Sequence, residues 1–436
     1  MPKQESMRLP AWLWLALAST LLAPAATRPR YGGTLTVELA AVPDPVEFPV
    51  GIASPVAENL IRINARGEIE PWLAVSWQSE TEAKVWRFSL RPKVSFHDGQ
   101  PLNGPAAAQI LLPALKKNYP DIALSGGGQT LVARSEHPMP DLLAVLAGPG
   151  AAMFEKREAN SIVATGPFRV TAWDPLRRLT LAAFDDYWGG RPFLDSVTVT
   201  SGNTRTNADV FDIPFASQRR ILPEGANTWS SSPRELIAII ASGDSSALLQ
   251  ALALTIDRAP IVNVLTQRRG QPAFGLLPDW LSGYGFLFDA PPDLSRARAL
   301  AAQWKGAATL NYPASDPFLH TIAERVALNA RDGGIALQAS SSSTGNLKLI
   351  RWTIESASPS QELQRFADLI KAPQATAGSG LQEHFEDERA LLATGRILPI
   401  AYLPIVYGAG PRVHNFDEGR SRARLAIRLE DVWVTP

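Results

Sequence analysis

Apolar residues recur at every second position in the first half of the chain, which predicts β-strands with one buried face. These predicted strands are residues 34–39 and 86–90 and the runs that contain Phe168, Leu179 and Val197. Between them, Asn103 is placed to cap a helix that runs to Leu115. Residues 118–160, with three consecutive glycines and several prolines, predict irregular chain. The first half is therefore predicted to be β-rich.

The pattern changes near Ser245, where apolar residues take the three-to-four spacing of helices. Asp257 and Asp293 each stand where a helix cap is expected. The predicted elements are helix 247–256, a helix after residue 293, strand 308–312, helix 318–329, strand 335–339 and strand 347–354. This alternation of strands and helices predicts a mostly parallel sheet.

Strand patterns return in the tail, at residues 397–404, 413–416 and 425–433. A β-rich start, a β/α middle and a β-rich tail predict an α/β protein in which the tail rejoins the first part. The expected result is two lobes joined by two crossings of the chain.

One predicted strand end carries candidate chemistry. Residues 347–354 form an apolar run, and Glu355, Ser356, Ser358 and Pro359 then end it. Trp352 and Glu355 therefore lie at a strand end, where ligands bind in open α/β sheets. The alternative is that Trp352 packs in the core and Glu355 is a solvated acid.

The N-terminus has the features of an export signal. Lys3 and Arg8 are basic, residues 9–22 are apolar, and Ala23-Pro24-Ala25 fits the small-residue pattern read by signal peptidase. We expect cleavage of residues 1–26. The alternative is an uncleaved anchor, since residues 9–27 carry no charge.

Composition narrows the cellular setting and the partners. The 42 basic and 42 acidic residues cancel, which disfavours binding to nucleic acid. Cysteine is absent, which excludes disulfides, thiolate metal sites and the lipidated cysteine of exported lipoproteins. With an export signal, these features predict a free, non-lipidated protein in a bacterial periplasm.

Signatures of catalysis are missing from the sequence. The five histidines, at positions 97, 137, 320, 384 and 414, have no metal-binding spacing. No nucleophile elbow, P-loop or dinucleotide fingerprint is present. We therefore expect no enzyme activity, no metal site and no cofactor.

Five segments, in order along the chain, resemble the extracytoplasmic solute-binding proteins of family 5, the oligopeptide, dipeptide and nickel binders of ABC importers. They are Glu70-Pro-Trp-Leu-Ala-Val-Ser-Trp77, Phe88-Ser-Leu-Arg-Pro-Lys-Val-Ser-Phe-His-Asp-Gly99, Thr165-Gly-Pro-Phe168, Tyr187-Trp-Gly-Gly-Arg-Pro192 and Ala251-Leu-Ala-Leu-Thr-Ile-Asp-Arg258. Each is weak alone, and together they are specific.

The resemblance implies a two-lobed periplasmic-binding-protein fold of type II with a discontinuous first lobe. Lobe I would comprise residues 27–240, with a β-rich subdomain at about 53–150, and lobe II residues 241–408. Residues 409–436 would return to lobe I. A monomer of this kind captures a peptide or similar small solute and delivers it to an inner-membrane ABC permease.

The family's W-x-x-D-x-x-D-P segment falls on Trp352 to Pro359. The resemblance implies that Glu355, in place of an aspartate, meets a ligand's amine, and that Trp352 forms an apolar wall. Arg351 is a candidate for a ligand carboxylate, with a surface position as the alternative. Tyr402 and Tyr407 are further candidates for the cleft, with ordinary packing as the alternative.

Two departures from the family pattern leave a second function open. The arginines that usually precede the last motif are Ala247 and Leu249 here, and residues 359–398 form a shorter segment than usual. The alternative is a sensor or regulatory protein that keeps the solute-binding fold, anchored to the inner membrane by an uncleaved N-terminal helix.

Overall fold

The structure is a computed structural model of the chain. It describes residues 28–49, 51–64, 68–157, 161–202, 208–215, 222, 224–242, 245–302, 304, 308–342, 345–373, 380–416 and 426–435. The predicted export signal, residues 1–26, lies outside the described residues.

Strands and helices are numbered in chain order. The strands are β1 (Thr34–Leu39), β2 (Ile61–Ile63), β3 (Ile69–Pro71), β4 (Ala74–Glu80), β5 (Val85–Leu90), β6 (Ala123–Gly127), β7 (Thr130–Arg134), β8 (Phe154–Lys156), β9 (Ile162–Ala164), β10 (Phe168–Asp174), β11 (Arg178–Ala183), β12 (Ser196–Ser201), β13 (Val210–Asp212), β14 (Asn227–Ala241), β15 (Gln271–Pro272), β16 (Ala308–Asn311), β17 (Leu337–Ser340), β18 (Leu347–Thr353), β19 (Ile397–Ala409), β20 (Val413–His414) and β21 (Trp433–Val434). The α-helices are α1 (Gly104–Leu115), α2 (Leu142–Leu146), α3 (Ser246–Ala253), α4 (Arg258–Pro260), α5 (Asp279–Ser282), α6 (Leu294–Ala301), α7 (Pro317–Asp332), α8 (Pro359–Ile370) and α9 (Leu381–Ala393).

One sheet runs through both halves of the molecule. Across the described ranges it has eleven strands, in the order β10-β11-β12-β1-β13-β19-β14-β18-β16-β17, with β15 beside β19. Strand β1 is parallel to β12 and β13, and β16 is parallel to β17 and β18. Strands β14 and β19 are antiparallel to each other and to their outer neighbours β18 and β13. As a result, the carboxyl ends of β1 and β13 point toward those of β16 and β18.

The central pair, β14 and β19, carries the chain from one half to the other. Pro233 and Pro404 are Cα partners near the middle of this pair, and the register shifts on both sides of Pro233. Proline has no backbone N–H, so neither residue can donate a hydrogen bond to the ladder here.

The halves have separate apolar cores. Val37 belongs to the core of the first half, and Phe88 to that of the subdomain built on the β4-β5-β7-β6 sheet. In the second half, Leu236 and Ile237 are adjacent on β14 and enter two different clusters. Because neighbouring strand residues point to opposite faces, both faces of the sheet are covered there.

Two of the shared sequence motifs meet at one buried carboxylate. Oε1 of Glu58 accepts hydrogen bonds from the indole of Trp72 at 2.8 Å and the hydroxyl of Tyr187 at 2.7 Å, and Oε2 accepts one from the indole of Trp188 at 3.1 Å. Arg428 of the returning tail stacks on Trp72 at 4.7 Å. Burial raises the pKa of Glu58 to about 7. The motif residues thus hold the subdomain, the first half and the tail together.

Many sequence predictions are confirmed by the observed elements. The predicted strands at residues 34–39, 86–90 and 347–354 correspond to β1, β5 and β18, and the helix after Asn103 is α1. The Asn103 side chain accepts a hydrogen bond from the backbone N–H of Ala106, as an N-cap does.

Other predictions are wrong. Residues 118–160 are not irregular, because they contain β6, β7, α2 and β8. The glycines at 126 and 127 belong to β6, and Gly126 packs against the backbone of Gly104, where a Cβ atom would overlap. The sheet is mixed instead of mostly parallel, because β14 and β19 are antiparallel to each other and to β18 and β13. In the predicted strand 425–433, the described residues contain a short 3₁₀ helix, Leu429–Asp431.

Within the described ranges, no single helix is long and apolar enough to cross a bilayer. One pair of consecutive helical segments, Ser246–Ala253 and Arg258–Leu265, is long and apolar enough only when the two are taken together, and the pair is bent by 79°.

Candidate functional site

The end of β18 and the start of α8 form a turn at the junction of the two halves. Ser358 caps α8 by accepting a hydrogen bond from the backbone N–H of Gln361 at 3.3 Å. The backbone N–H groups of Glu355 and Ser356 donate to Oε1 of Glu362, at 2.9 and 2.6 Å. Glu362, one turn into the helix, therefore fixes the backbone of the predicted ligand-binding segment.

Glu355 is half-exposed and already has a cationic neighbour. Nη2 of Arg365 lies 3.0 Å from its Oε2. Nη1 of the same guanidinium donates to both oxygens of Glu362, at 2.8 and 2.9 Å. Glu362 is fully buried, and burial raises the pKa of its carboxyl above the usual value. Arg365 thus bridges the exposed carboxylate and the buried one.

Trp352 packs beside this ion-pair cluster. The guanidinium of Arg365 lies 4.8 Å from the centre of the Trp352 ring, and the ring of Phe366 lies 5.4 Å away. The indole Nε1 of Trp352 is buried and has no hydrogen-bond partner in the part of the chain that the structure describes. The structure therefore brings Trp352 and Glu355 together through Arg365.

Arg351 lies on the other face of the sheet from Trp352. Its guanidinium donates to Glu235 at 2.8 Å and to Asp316 at 2.9 Å. It also lies 5.6 Å from the ring of Phe318. As adjacent residues of a strand point to opposite faces, Arg351 and Trp352 do not line one wall. Arg351 joins two strands to the start of α7.

The two tyrosines of β19 occupy different cores. Tyr402 is buried in the second half, and its hydroxyl donates to the carbonyl oxygen of Gly275 at 2.6 Å. Tyr407 is buried in the first half, with its ring 6.0 Å from that of Trp229. The structure places neither beside Glu355.

Sequence reasoning missed the buried charges around this turn. Arg234 lies on β14, 7% exposed, with its guanidinium 4.3 Å from the centre of the Trp280 ring. Burial lowers the pKa of Arg234 to about 10, so it is cationic at neutral pH. The signal in the sequence is a charged Pro-Arg-Glu segment directly before the apolar run Leu-Ile-Ala-Ile-Ile, which has the composition of a buried strand.

A cavity of about 210 Å³ lies between the first half and the start of α8. Its lining residues are Pro140, Asp141, Ala144, Ser358, Pro359, Ser360 and His384. Ser358 is the position at which the family segment has its second aspartate. The cavity therefore adjoins the turn that carries Glu355.

The described residues contain no candidate metal site. No group of three or more His, Asp or Glu side chains there is arranged to hold a metal ion. The chemistry that the turn offers is recognition of charge and of apolar surface: carboxylates, guanidinium groups and indole rings at the meeting point of opposed strand ends.

Two halves joined by a strand pair, with opposed strand ends and charged side chains at the junction, define a two-lobed α/β protein. The family model for bacterial extracellular solute-binding proteins, family 5 middle region, matches residues 68–210. Over this region the chain is similar to family 5 of the bacterial extracellular solute-binding proteins. The family resemblance and the two-lobed α/β fold predicted from the sequence are confirmed.

Curated relatives and solved structures are similar to this chain. The nickel-binding protein NikA of Staphylococcus aureus is 30% identical over 174 residues, which cover 37% of this chain and 35% of NikA. The NikA structure with Ni(L-His)2 has a TM-score of 0.71 at 19% identity, covering 92% of this chain and 100% of that one. AppA of Bacillus subtilis, an oligopeptide-binding protein in complex with a nonapeptide, has a TM-score of 0.72 at 15% identity, covering 94% and 100%. These two structures support the fold.

A regulatory protein is also similar in sequence. The HTH-type transcriptional regulator SgrR of Salmonella typhi is 31% identical over 161 residues, which cover 34% of this chain and 28% of SgrR. In sequence, the chain spans about a third of the length of these curated relatives.

Proposed function

We propose that this protein captures a peptide or similar small solute between its two lobes and delivers it to an ABC importer. The observation that carries the proposal is the opposition of strand ends at the lobe junction, with Glu355 and Trp352 at the end of β18. Ligands bind at such strand ends in α/β proteins because backbone groups and loop side chains converge there. The protein would act as an exported, non-lipidated monomer in the periplasm.

In this proposal Glu355 receives a cationic group of the solute and Trp352 supplies an apolar wall. Peptide backbone groups would hydrogen-bond to exposed strand edges. The names of relatives support peptides and nickel complexes as solute classes. The described residues offer no metal cluster of their own, which favours a peptide-like solute over a bare ion. Arg351, Tyr402 and Tyr407 are assigned to packing and ion pairs, given their contacts.

Native mass spectrometry of protein purified from its own host tests the proposal. A co-purified small solute with a peptide-like mass would support it, and isothermal titration with short peptides would then measure the affinity. A protein that carries no solute and binds no peptide in titration would contradict capture. Uptake of the same solute, lost on deletion of the gene, would support delivery.

A sensor role is the second candidate, and the similarity to the regulator SgrR favours it. In that case the same lobes bind a solute, but the signal passes to a regulatory partner and no importer is needed. Determination of the mature N-terminus separates the two. A start near Ala26 in the soluble fraction supports transport, whereas Met1 retained in the membrane fraction supports an anchored sensor.

A further inference from the structure

Arg234 lies at a bulge where β14 passes from one lobe to the other. Pro233 pairs with Pro404 and Glu235 pairs with Leu403, so Arg234 is an extra residue opposite β19. Its carbonyl oxygen accepts a hydrogen bond from the backbone N–H of Ile354 at 2.7 Å. Bulges of this kind aim a side chain out of the regular alternation and are frequent beside binding sites.

The guanidinium of Arg234 is poorly satisfied. Its Nη1 donates to the carbonyl oxygen of Ile354 over a long 3.4 Å, and its buried Nε has no partner among the residues that the structure describes. Removing a cation from water is costly unless hydrogen bonds or an opposite charge compensate. Stacking on Trp280 at 4.3 Å offsets only part of that cost.

The acid whose charge acts on Arg234 does not supply the missing partner. Glu362 attracts Arg234 through its charge, yet its carboxylate oxygens are occupied by two backbone N–H groups and by Arg365. Within the described ranges Arg234 makes no ion pair. A buried cation thus faces the turn that holds Glu355 without a counter-ion of its own.

We infer that Arg234 binds an anionic group of the captured solute. The inference rests on the proposed function and narrows its substrate class to zwitterionic solutes: a carboxylate meets Arg234, while a cationic group meets Glu355. Both residues flank Ile354, so the two charges of the solute would be held at one turn.

Arg258 provides a matched comparison within the same lobe. It is 6% exposed, it stacks on Phe274 at 4.6 Å, and burial lowers its pKa to about 10, as for Arg234. In contrast to Arg234, its Nε donates to the carbonyl oxygen of Pro399 at 3.0 Å. Arg258 is therefore a buried arginine with a structural partner at the nitrogen that Arg234 leaves unpaired.

Isothermal titration with trialanine and with trialanine amide tests the inference. We expect wild-type protein to prefer the free carboxylate by about 30-fold, a typical effect of losing one charge-assisted contact. Arg234→Gln should reduce this preference to about twofold or less, and Arg258→Gln should retain it. An unchanged preference in Arg234→Gln would overturn the inference.

Arg234→Lys guards against failure of the first variant to fold. It keeps the charge but loses the planar fork of donors, so an intermediate preference is expected. A lysine variant that folds and shows the full wild-type preference would contradict recognition by the guanidinium. If it folds and shows no preference for the carboxylate, a buried ammonium cannot replace the guanidinium, which supports specific recognition.

A separate arm distinguishes this inference from the proposed function. If wild-type protein binds neither peptide, capture of peptides is contradicted, and sodium acetate then serves as the probe in thermal unfolding at constant ionic strength. Acetate should raise the midpoint of wild type and of Arg258→Gln, but not that of Arg234→Gln. If acetate shifts the unfolding midpoint of all three proteins equally, the inference that Arg234 binds an anion is overturned.

Discussion

Nη2 of Arg365 lies 3.0 Å from Oε2 of Glu355, so the carboxylate proposed to receive a solute cation already has a cationic neighbour. The same guanidinium also pairs with buried Glu362. A ligand ammonium must therefore share Glu355 with Arg365 or displace it. Because the two cations compete for Glu355, replacing Glu355 and replacing Arg365 should change the affinity for such a ligand in opposite directions.

Glu355→Gln should weaken binding of peptides with a free amine by about tenfold and spare N-acetylated peptides. The amide keeps the shape of the side chain but removes the charge that attracts an ammonium group. Titration of trialanine and N-acetyl-trialanine measures both effects. Glu324→Gln, on an exposed face of α7, should change neither. Equal losses for both peptides would remove the assigned role of Glu355.

Arg365→Gln should tighten binding of the same free-amine peptide by about tenfold, because Glu355 loses its competing cation. It should also lower the free energy of unfolding by about 2 kcal/mol, since buried Glu362 loses its charged donor. Titration and urea unfolding measure the two changes. Arg325→Gln, on the exposed face of α7, is the control. Weaker binding in Arg365→Gln would indicate that Arg365 itself contacts the solute.

The stability of the protein should fall as pH rises from about 4.5 to 7. Burial raises the pKa of Glu58 from 4.5 to about 7, so the folded state binds more protons than the unfolded state across this window. Glu58→Gln removes the titration. Relative to wild type, the variant should gain about 3 kcal/mol of unfolding free energy between pH 4.5 and about pH 8. Urea unfolding at both pH values measures it.

The Glu58→Gln variant also loses hydrogen bonds, which lowers its stability at every pH. In the glutamine variant one acceptor oxygen becomes an NH₂ group, so either Trp188 or the pair formed by Trp72 and Tyr187 loses its acceptor. We therefore expect the variant to be less stable than wild type at pH 4.5. A pH-independent difference between the two proteins would contradict the raised pKa.

Gly166→Ala should lower the free energy of unfolding by about 2 kcal/mol. A Cβ atom at residue 166 would overlap the carbonyl oxygen of Val56, whose position is fixed by the hydrogen bond from the Gly166 N–H at 2.9 Å. Gly127→Ala is the control, because a Cβ atom there meets nothing within 4 Å. Equal stability of the two variants would contradict close backbone packing as the reason for the glycine in the Thr-Gly-Pro-Phe motif.

Local patterns in the sequence predicted the strands and helices that neighbouring residues determine. The alternation in β1 and the Asn103 cap of α1 depend on a few neighbouring residues, and both are observed. The motif segments predicted the family, although their physical role was not visible. Trp72 and Tyr187 are 115 positions apart in sequence, and only the fold reveals that both donate to Glu58.

Features set by distant partners could not be predicted. The strand β14 contains Ser-Ser-Ser-Pro-Arg-Glu, a segment typical of a loop, and becomes a strand because β18 and β19 flank it. The pattern placed Glu355 and Trp352 at a strand end correctly. It gave no sign of Arg365, which belongs to the next helix, or of Arg234, whose contact with Ile354 spans 120 positions.

The facing prolines of the β14/β19 pair have a thermodynamic consequence. Since Pro233 and Pro404 cannot donate to each other's strand, flexing the ribbon at this rung sacrifices less hydrogen bonding than flexing it at a rung where both residues donate. Bringing the lobes together would then demand little elastic work. Most of the free energy released by contacts with a trapped solute would remain available as affinity.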